Sequence, residues 1–518
     1  MKKLLLVCLL VYTSSLSCLG MVSPENTILV DSTITPLSNF TSLAPLDQKD
    51  SLFIPFGYSF QVIAQRGDTM SDGNTFPPNF DFTGFVPLNG SSTNGYLSIN
   101  SEYLPGGVSI MDVNFDSTTI RWSKSNASAI DFTPVVGTVA NCSGTVTPWN
   151  TIITCEEYPT TYDFNNDSYN DTGWAIEIDP VSRTIVNNQK IWALGNFAHE
   201  NIVVHANQRT AYQGADSSPG YLFKFVADAA QNLHSGKLYV YVGSKGGSGN
   251  WLLLNNTTKA ERNSTMTQAA SLGATSFAGI EDVEISPKDG KIYFAVKGES
   301  TVYRFEDSDP LTGTTVSNFE TFVGGSTQTY DLNTSSGIIN EPWGTGNDNL
   351  AFDNEGNLWV LQDGSRNYVW LVDTSHTQAN PSVKIFMRPP TGSEPTGLTF
   401  SPDNKFMFMS IQHPSGANNS SFQQDVNNLN VTFERDVSLI IARNETWKIK
   451  PCQANLSLNT SPISSGTYQS SHEIQAYGEI ENPSKVFLKA NTYIILNQGF
   501  SVQAGATFLG HIGGCQNN

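Results

Sequence analysis

The sequence is short of positive charge: 28 Lys and Arg stand against 47 Asp and Glu, a formal net charge of −19 over 518 residues. A nucleic-acid binder needs a cationic surface to displace phosphate counterions, so the composition argues against that partner. Charge of either sign is scarce, at 14% of residues, while hydrophobics reach 39%. A disordered polyelectrolyte has the reverse balance, because it lacks the apolar surface that offsets ordering entropy. No apolar run approaches the length of a membrane helix. Long helical periodicity is also missing.

The longest apolar stretch opens the chain. Lys2 and Lys3 precede Leu4–Val11, and small residues follow (Ser14, Ser15, Ser17), so residues 1–20 read as a secretory signal. Cys18 raises lipid modification as an alternative to plain cleavage. The expectation is an exported protein, periplasmic, surface-bound or secreted. Of 6 cysteines, removal of Cys8 and Cys18 leaves Cys142, Cys155, Cys452 and Cys515. Export permits disulfides. Cys452 and Cys515 bracket the C-terminal tail and make a natural pair. Cys142 and Cys155 are open between a hairpin disulfide and another use of the thiols.

Residues 21–50 are polar and without periodicity, which suggests a leader. From 51 to 448, short β-rich runs alternate with Gly, Asn, Asp and Pro clusters, the pattern of an all-β sandwich, barrel or propeller. Residues 451–518 change texture into short strands separated by Gly or Asn, a small C-terminal β module. Within the body, Glu200–Tyr212 aligns without gaps against Glu281–Tyr293. Asp348–Trp359 matches with one turn residue fewer, and Thr396–Phe408 is a fourth copy. Each reads strand, tight turn, strand. Hairpins recurring at long, uneven intervals predict a β-propeller with insertions.

An acid stands at the entry of three of these hairpins: Glu200, Glu281 and Asp348. In the fourth, Glu394 lies two residues upstream, on the same face of an extended chain. Equivalent positions of propeller blades converge on the central channel. Four carboxylates gathered there either take up protons or are neutralised by cations, and hard cations such as Ca²⁺ prefer several carboxylate oxygens. The alternative is separate, solvated turn residues. Cys155 ends a β-branched run and is followed directly by Glu156 and Glu157, so a soft thiolate joins the candidate ligands and suits iron. His199 and His413 are further candidates for metal or anion contact, against the structural roles single histidines more often serve.

At these residues the chain resembles the PhoX alkaline phosphatase family. The matching stretches run in order: Ile54–Tyr58 with Arg66–Asp68, Asn100–Tyr103, Thr147–Trp149, Thr154–Glu157, Gly173–Pro180, Leu194–Glu200, Tyr221–Phe225, Glu394–Pro402 and Gln412–Pro414. The resemblance implies a β-propeller whose channel holds Fe³⁺ and Ca²⁺ joined by a bridging oxo group, acting on small phosphate monoesters. Carried over position by position, Cys155 binds iron, and Glu156, Glu157, Glu200, Glu281, Asp348 and Glu394 share iron and calcium. The chain departs from the family at Ser101, where a His usually precedes the Glu, and around Glu281 and Asp348. The tail resembles small Cys-bounded modules that end exported proteins of Bacteroidetes-type bacteria, which implies surface association. Two rival functions remain at this point: a calcium-dependent propeller lactonase, and a non-enzymatic surface module stapled by calcium.

Overall fold

Short strands separated by turn-forming residues fold here into six four-stranded antiparallel sheets around a channel. The computed structural model describes residues 35–512 apart from 421, 450–452 and 491. The expected signal at 1–20 and the Cys452–Cys515 pair lie outside the described residues. Blade one is Phe80–Pro87, Asn94–Ser101, Gly107–Asp116 and Arg121–Ala129. Blade two is Asn141–Val146, Ile152–Glu156, Ala175–Asp179 and Thr184–Ile185. Blade three is His199–Val204, Thr210–Ala215, Leu222–Ala229 and Asn232–Gly243; blade four is Ile280–Ile285, Ile292–Val296, Thr301–Asp307 and Thr315–Gly324. An inserted strand, Gly247–Leu253, pairs with the outer strands of both and joins them edge to edge. Blade five is Asn347–Phe352, Leu358–Gln362, Val369–Val372 and Val383–Met387.

Blade six closes the ring with both ends of the domain. Glu394–Phe400, Phe406–Gln412 and Val437–Arg443 take Tyr58–Gln65 as their outermost strand. The innermost strand of each blade packs against the next, and blade six packs back on blade one. Closure leaves no open sheet edge at the seam. The four hairpins read from the sequence are the two inner strands of blades three to six.

Apolar side chains fill the spaces between adjacent blades. One such layer between blades five and six buries Tyr58, Phe60, Trp359, Phe386 and Met409. Leu37 and Phe40 are buried in the same layer, and the Leu43 N–H donates to the Ile385 carbonyl. The second part of the expected leader is therefore packed on the propeller, because those two apolar residues cover blade five. Among the described residues no helix is long and apolar enough to cross a membrane.

The tail is built differently from the propeller. Asn455–Leu458, Glu473–Ala476 and Tyr493–Leu496 pair in parallel, as do Gly466–Ser470, Lys485–Ala490 and Thr507–Ile512. Partners such as Asn455 and Glu473, or Val486 and Phe508, lie 18 and 22 residues apart. The module is thus a small parallel coil in which each turn contacts only its neighbours. Its buried residues, including Ile463, Ile474, Val486 and Leu488, belong to the module alone.

The boundary between the two follows from Trp447. It is buried against Phe115 and Phe406, and its indole N–H donates to the Ser59 carbonyl at 3.1 Å. Trp447→Ala in the full chain should cost about 3–5 kcal/mol of propeller stability. Deletion from residue 451 onward should leave propeller melting intact. Equal loss of stability in the two variants, read by thermal melting, would place the boundary elsewhere.

Candidate metal centre

A single irregularity, repeated in every blade, aims side chains into the channel. Each innermost strand loses its register with the second strand over two residues: after Phe80, Asn141, His199, Ile280 and Asn347 in blades one to five, and after Thr396 in blade six. Such a bulge re-aims the unpaired residues. The first unpaired residue is Asp81, Cys142, Glu200, Glu281 and Asp348 in turn. In blade six the bulge sits further along the strand and the place is taken by Gly397, where a Cβ would collide with the Thr83 amide. Glu394, at the start of that strand, supplies the acid instead.

A second ring surrounds the first. The residue immediately after the second strand of each blade is Glu102, Glu157, Asp216, Lys297, Asp363 and His413. Apart from Cys142 and Gly397, all of these line one cavity of about 250 Å³, together with Asn79, Thr396 and Gln412. The inner ring is buried, whereas the outer ring is half-buried to exposed. Nine carboxylates thus meet two residues able to carry positive charge, Lys297 and His413.

The carboxylates are close enough to act together. One oxygen from each of Glu200, Glu281 and Asp348 lies within 4.8 Å of the others, and Asp348, Asp363 and Glu394 form a second such triplet. Lys297 Nζ stands 3.0 Å from Asp348, 2.9 Å from Asp363 and 3.9 Å from Glu281. Burial works against the Lys297 charge, but Asp348, Glu281 and Asp363 outweigh it and hold the ammonium protonated. His413 Nε2 donates to Glu394 at 2.8 Å and the ring's other nitrogen contacts the Gly392 carbonyl at 2.9 Å. That bond raises His413 to about 9.

One lysine and one histidine leave most of the acids uncompensated. Burial first, and then the neighbouring carboxylates, push Asp81, Glu200 and Glu281 well above the usual carboxylate range. Glu157 is pushed up to about 9 by burial and by Glu102, and Glu394 to about 8 by burial. Asp81 Oδ1, Glu157 Oε2 and Glu281 Oε1 are buried without a hydrogen-bond partner. Unpaired carboxylate oxygens converging at this spacing are the donor set that hard cations require. The residues present therefore fit bound metal.

The structure gathers Glu157, Glu200, Glu281, Asp348 and Glu394 around the cavity, but not Glu156 or Cys155. Glu156 pairs with Asn141 one position before the outer ring and faces the other side of the strand. Its carboxylate is fully engaged by Lys190 at 2.6 Å, Thr138 at 2.9 Å and the Trp174 amide at 3.1 Å. Cys155 is packed among Ile153, Ala193, Phe197 and Phe223. Cys142 occupies the inner-ring place of blade two, and its thiol donates to the His199 carbonyl at 3.2 Å and the Glu200 carbonyl at 3.5 Å. Both thiols are free. His199 points away from the cavity, stacked 3.7 Å from Phe197 with Nε2 bonded to the Gly195 carbonyl, and burial lowers it to about 4.

Sequence reasoning missed Asp81, Glu102, Asp216, Lys297 and Asp363. Asp216, Lys297 and Asp363 were findable, since each directly follows the second strand of a hairpin that the repeat had already marked. Asp81 lies in the inner strand of blade one, whose hairpin the repeat did not reach.

The chain matches alkaline phosphatase PhoX over residues 115–415, more than half its length. A comparison with curated protein sequences finds no match. Among solved structures, Pseudomonas fluorescens PhoX in complex with vanadate, a transition state analogue, is similar at 22% identity and a TM-score of 0.62, covering 79% of this chain and 98% of that one. At that identity the likeness shows the shared fold. A gluconolactonase from Xanthomonas campestris, XC5397, is similar at 10% identity, a TM-score of 0.38, and 79% and 100% coverage. The calcium-binding protein regucalcin from Agrobacterium tumefaciens is similar at 11% identity, a TM-score of 0.38, and 74% and 94% coverage. The six-bladed ring, its acid-lined channel and the family match agree: this chain is a β-propeller phosphoric monoester hydrolase belonging to the PhoX family of alkaline phosphatases.

Proposed function

We propose that the cavity hydrolyses phosphate monoesters with Ca²⁺ and Fe³⁺ held by the two carboxylate rings. The supporting observation is the charge imbalance at its wall: nine carboxylates against Lys297 and His413. A phosphate dianion enters such a wall only after cations invert the local field. The triplets Glu200, Glu281, Asp348 and Asp348, Asp363, Glu394 offer oxygen alone and suit calcium. Cys142, beside Glu200, offers the one sulfur of the inner ring and suits iron better than Cys155 does. When bound, these ions would neutralise the phosphoryl oxygens and activate the attacking oxygen.

The chain's own residues hold this arrangement. His413 fixes Glu394 through its 2.8 Å hydrogen bond. The Gln412 amide donates to Glu102 at 2.7 Å and steadies the rim of blade one. Lys297, half-buried and held protonated by its acidic neighbours, offers the phosphoryl group a cation that needs no metal. Export through residues 1–20 accords with an enzyme that meets phosphate esters outside the cell, and the coil module would tether it to the surface.

The direct test is metal analysis of the purified protein together with hydrolysis of a chromogenic phosphomonoester. Calcium with iron supports the proposal, and a fully active protein free of both rejects it.

Chelation should abolish activity and lower the melting temperature, since calcium binds the folded state alone. The pH dependence has a definite sign. Glu157 titrates at about 9 in the metal-free fold, above its unfolded range near 4.5. The folded state then binds more protons, so the chelated protein loses stability as pH rises through that window. Calcium removes the cause. The gap in melting temperature between loaded and chelated protein should widen from pH 5 to pH 9; a constant gap would contradict the clustering.

The two cysteines separate by colour. Cys142→Ser should lose iron and its visible thiolate charge-transfer band. Cys155→Ser should keep both and cost about 1–3 kcal/mol for a hydroxyl buried in an apolar layer. The reverse pattern in absorbance and iron content would return the thiolate role to Cys155.

A further inference from the structure

The other end of the channel opens as a second cavity of about 400 Å³. The second unpaired residue of each bulge faces this side, and four of the six are polar: Ser143, Asn201, Asp282 and Asn349. Glu284 lines the same mouth two residues further along the blade-four strand. None of the residues lining this cavity is Lys, Arg or His.

Two of these side chains are left incomplete by the protein. Asp282 accepts the Leu350 N–H through Oδ2 at 2.8 Å, while Oδ1 is buried without a partner. Asn201 donates its amide to the Gly144 carbonyl at 3.1 Å, while Oδ1 is likewise buried and unpartnered. Both residues are 2% exposed. Asn349, by contrast, is satisfied on both sides, donating to Asp348 at 3.0 Å and accepting from the Gly397 amide at 2.7 Å. The unsatisfied groups are therefore confined to blades three and four. They are acceptors only, and a buried acceptor with no donor in reach is disfavoured unless something else supplies positive charge.

We propose that this mouth binds a hard divalent cation of the calcium type, held by Asp282 Oδ1, Asn201 Oδ1 and the Glu284 carboxylate. The donor set is all oxygen, with two carboxylates and one amide carbonyl, which selects calcium over softer transition metals. The cation joins the innermost strands of blades three and four, and so staples the ring at its middle. It takes no part in hydrolysis at the opposite end.

The test uses the full-length, metal-loaded enzyme. Asp282→Asn keeps the acceptor for Leu350 and removes the charge; Glu284→Gln does the same for the second acid. The double variant should bind one calcium fewer per chain by elemental analysis and lose part of the calcium-dependent rise in melting temperature. Its iron content should be unchanged, and kcat at saturating calcium should stay within about twofold, since the two ends share no donor. Equal calcium counts in wild type and variant overturn the site. Should the variant not fold, wild-type crystals soaked in Tb³⁺ decide: anomalous density between Asp282 and Asn201 is expected. Density confined to the acid cavity overturns the proposal and leaves the phosphatase reading untouched.

Discussion

Mutual repulsion among buried carboxylates is the constraint around which this molecule is organised. Nine carboxylates, five buried and four half-buried, share a cavity of about 250 Å³ with one lysine and one histidine. Such crowding persists only if the surrounding scaffold is stiff enough to oppose it. The six-bladed ring provides that stiffness through apolar layers between blades and a closing strand that ties Tyr58–Gln65 to Val437–Arg443. Stability stored in the ring is thus spent at the channel, where the acids await cations.

Backbone geometry converts the symmetry of the fold into chemistry. One bulge per blade turns a residue inward, and the residue just past the second strand forms the rim. Because every blade repeats this plan, substitution at a single place changes the ligand type without moving the scaffold. Blade two presents Cys142 where its neighbours present acids, and blade four presents Lys297 at the rim. Blade six uses Gly397 at the crowded place and shifts the acid to Glu394.

Much of this was legible in the sequence, and what was not has a physical reason. The hairpin repeat exposed blades three to six and three inner acids, because short tight turns preserve spacing. Blades one and two escaped it although the connections after their inner strands are as short as the others: the turn sequences Leu88–Thr93 and Thr147–Thr151 share too little with the other four, so Asp81 and Cys142 had no aligned partner. Cys155 was favoured because Glu156 and Glu157 adjoin it in sequence. A strand alternates faces, however, and the bulge opposite changes which residue meets the channel. Glu157 reaches the cavity, Glu156 is neutralised by Lys190, and Cys155 stays in the apolar layer. Parallel pairing in the tail was equally hidden, since alternation alone does not reveal strand direction.

The central claim is that the clustered acids hold protons until metal replaces them. Calorimetric titration of calcium into chelated protein, repeated in buffers of different ionisation enthalpy, counts the protons released on binding. At pH 7 the account predicts net release, because Glu157 is held protonated by burial and by Glu102. Calcium binding without any proton release would show that the carboxylates were already ionised and separately solvated, and would contradict it.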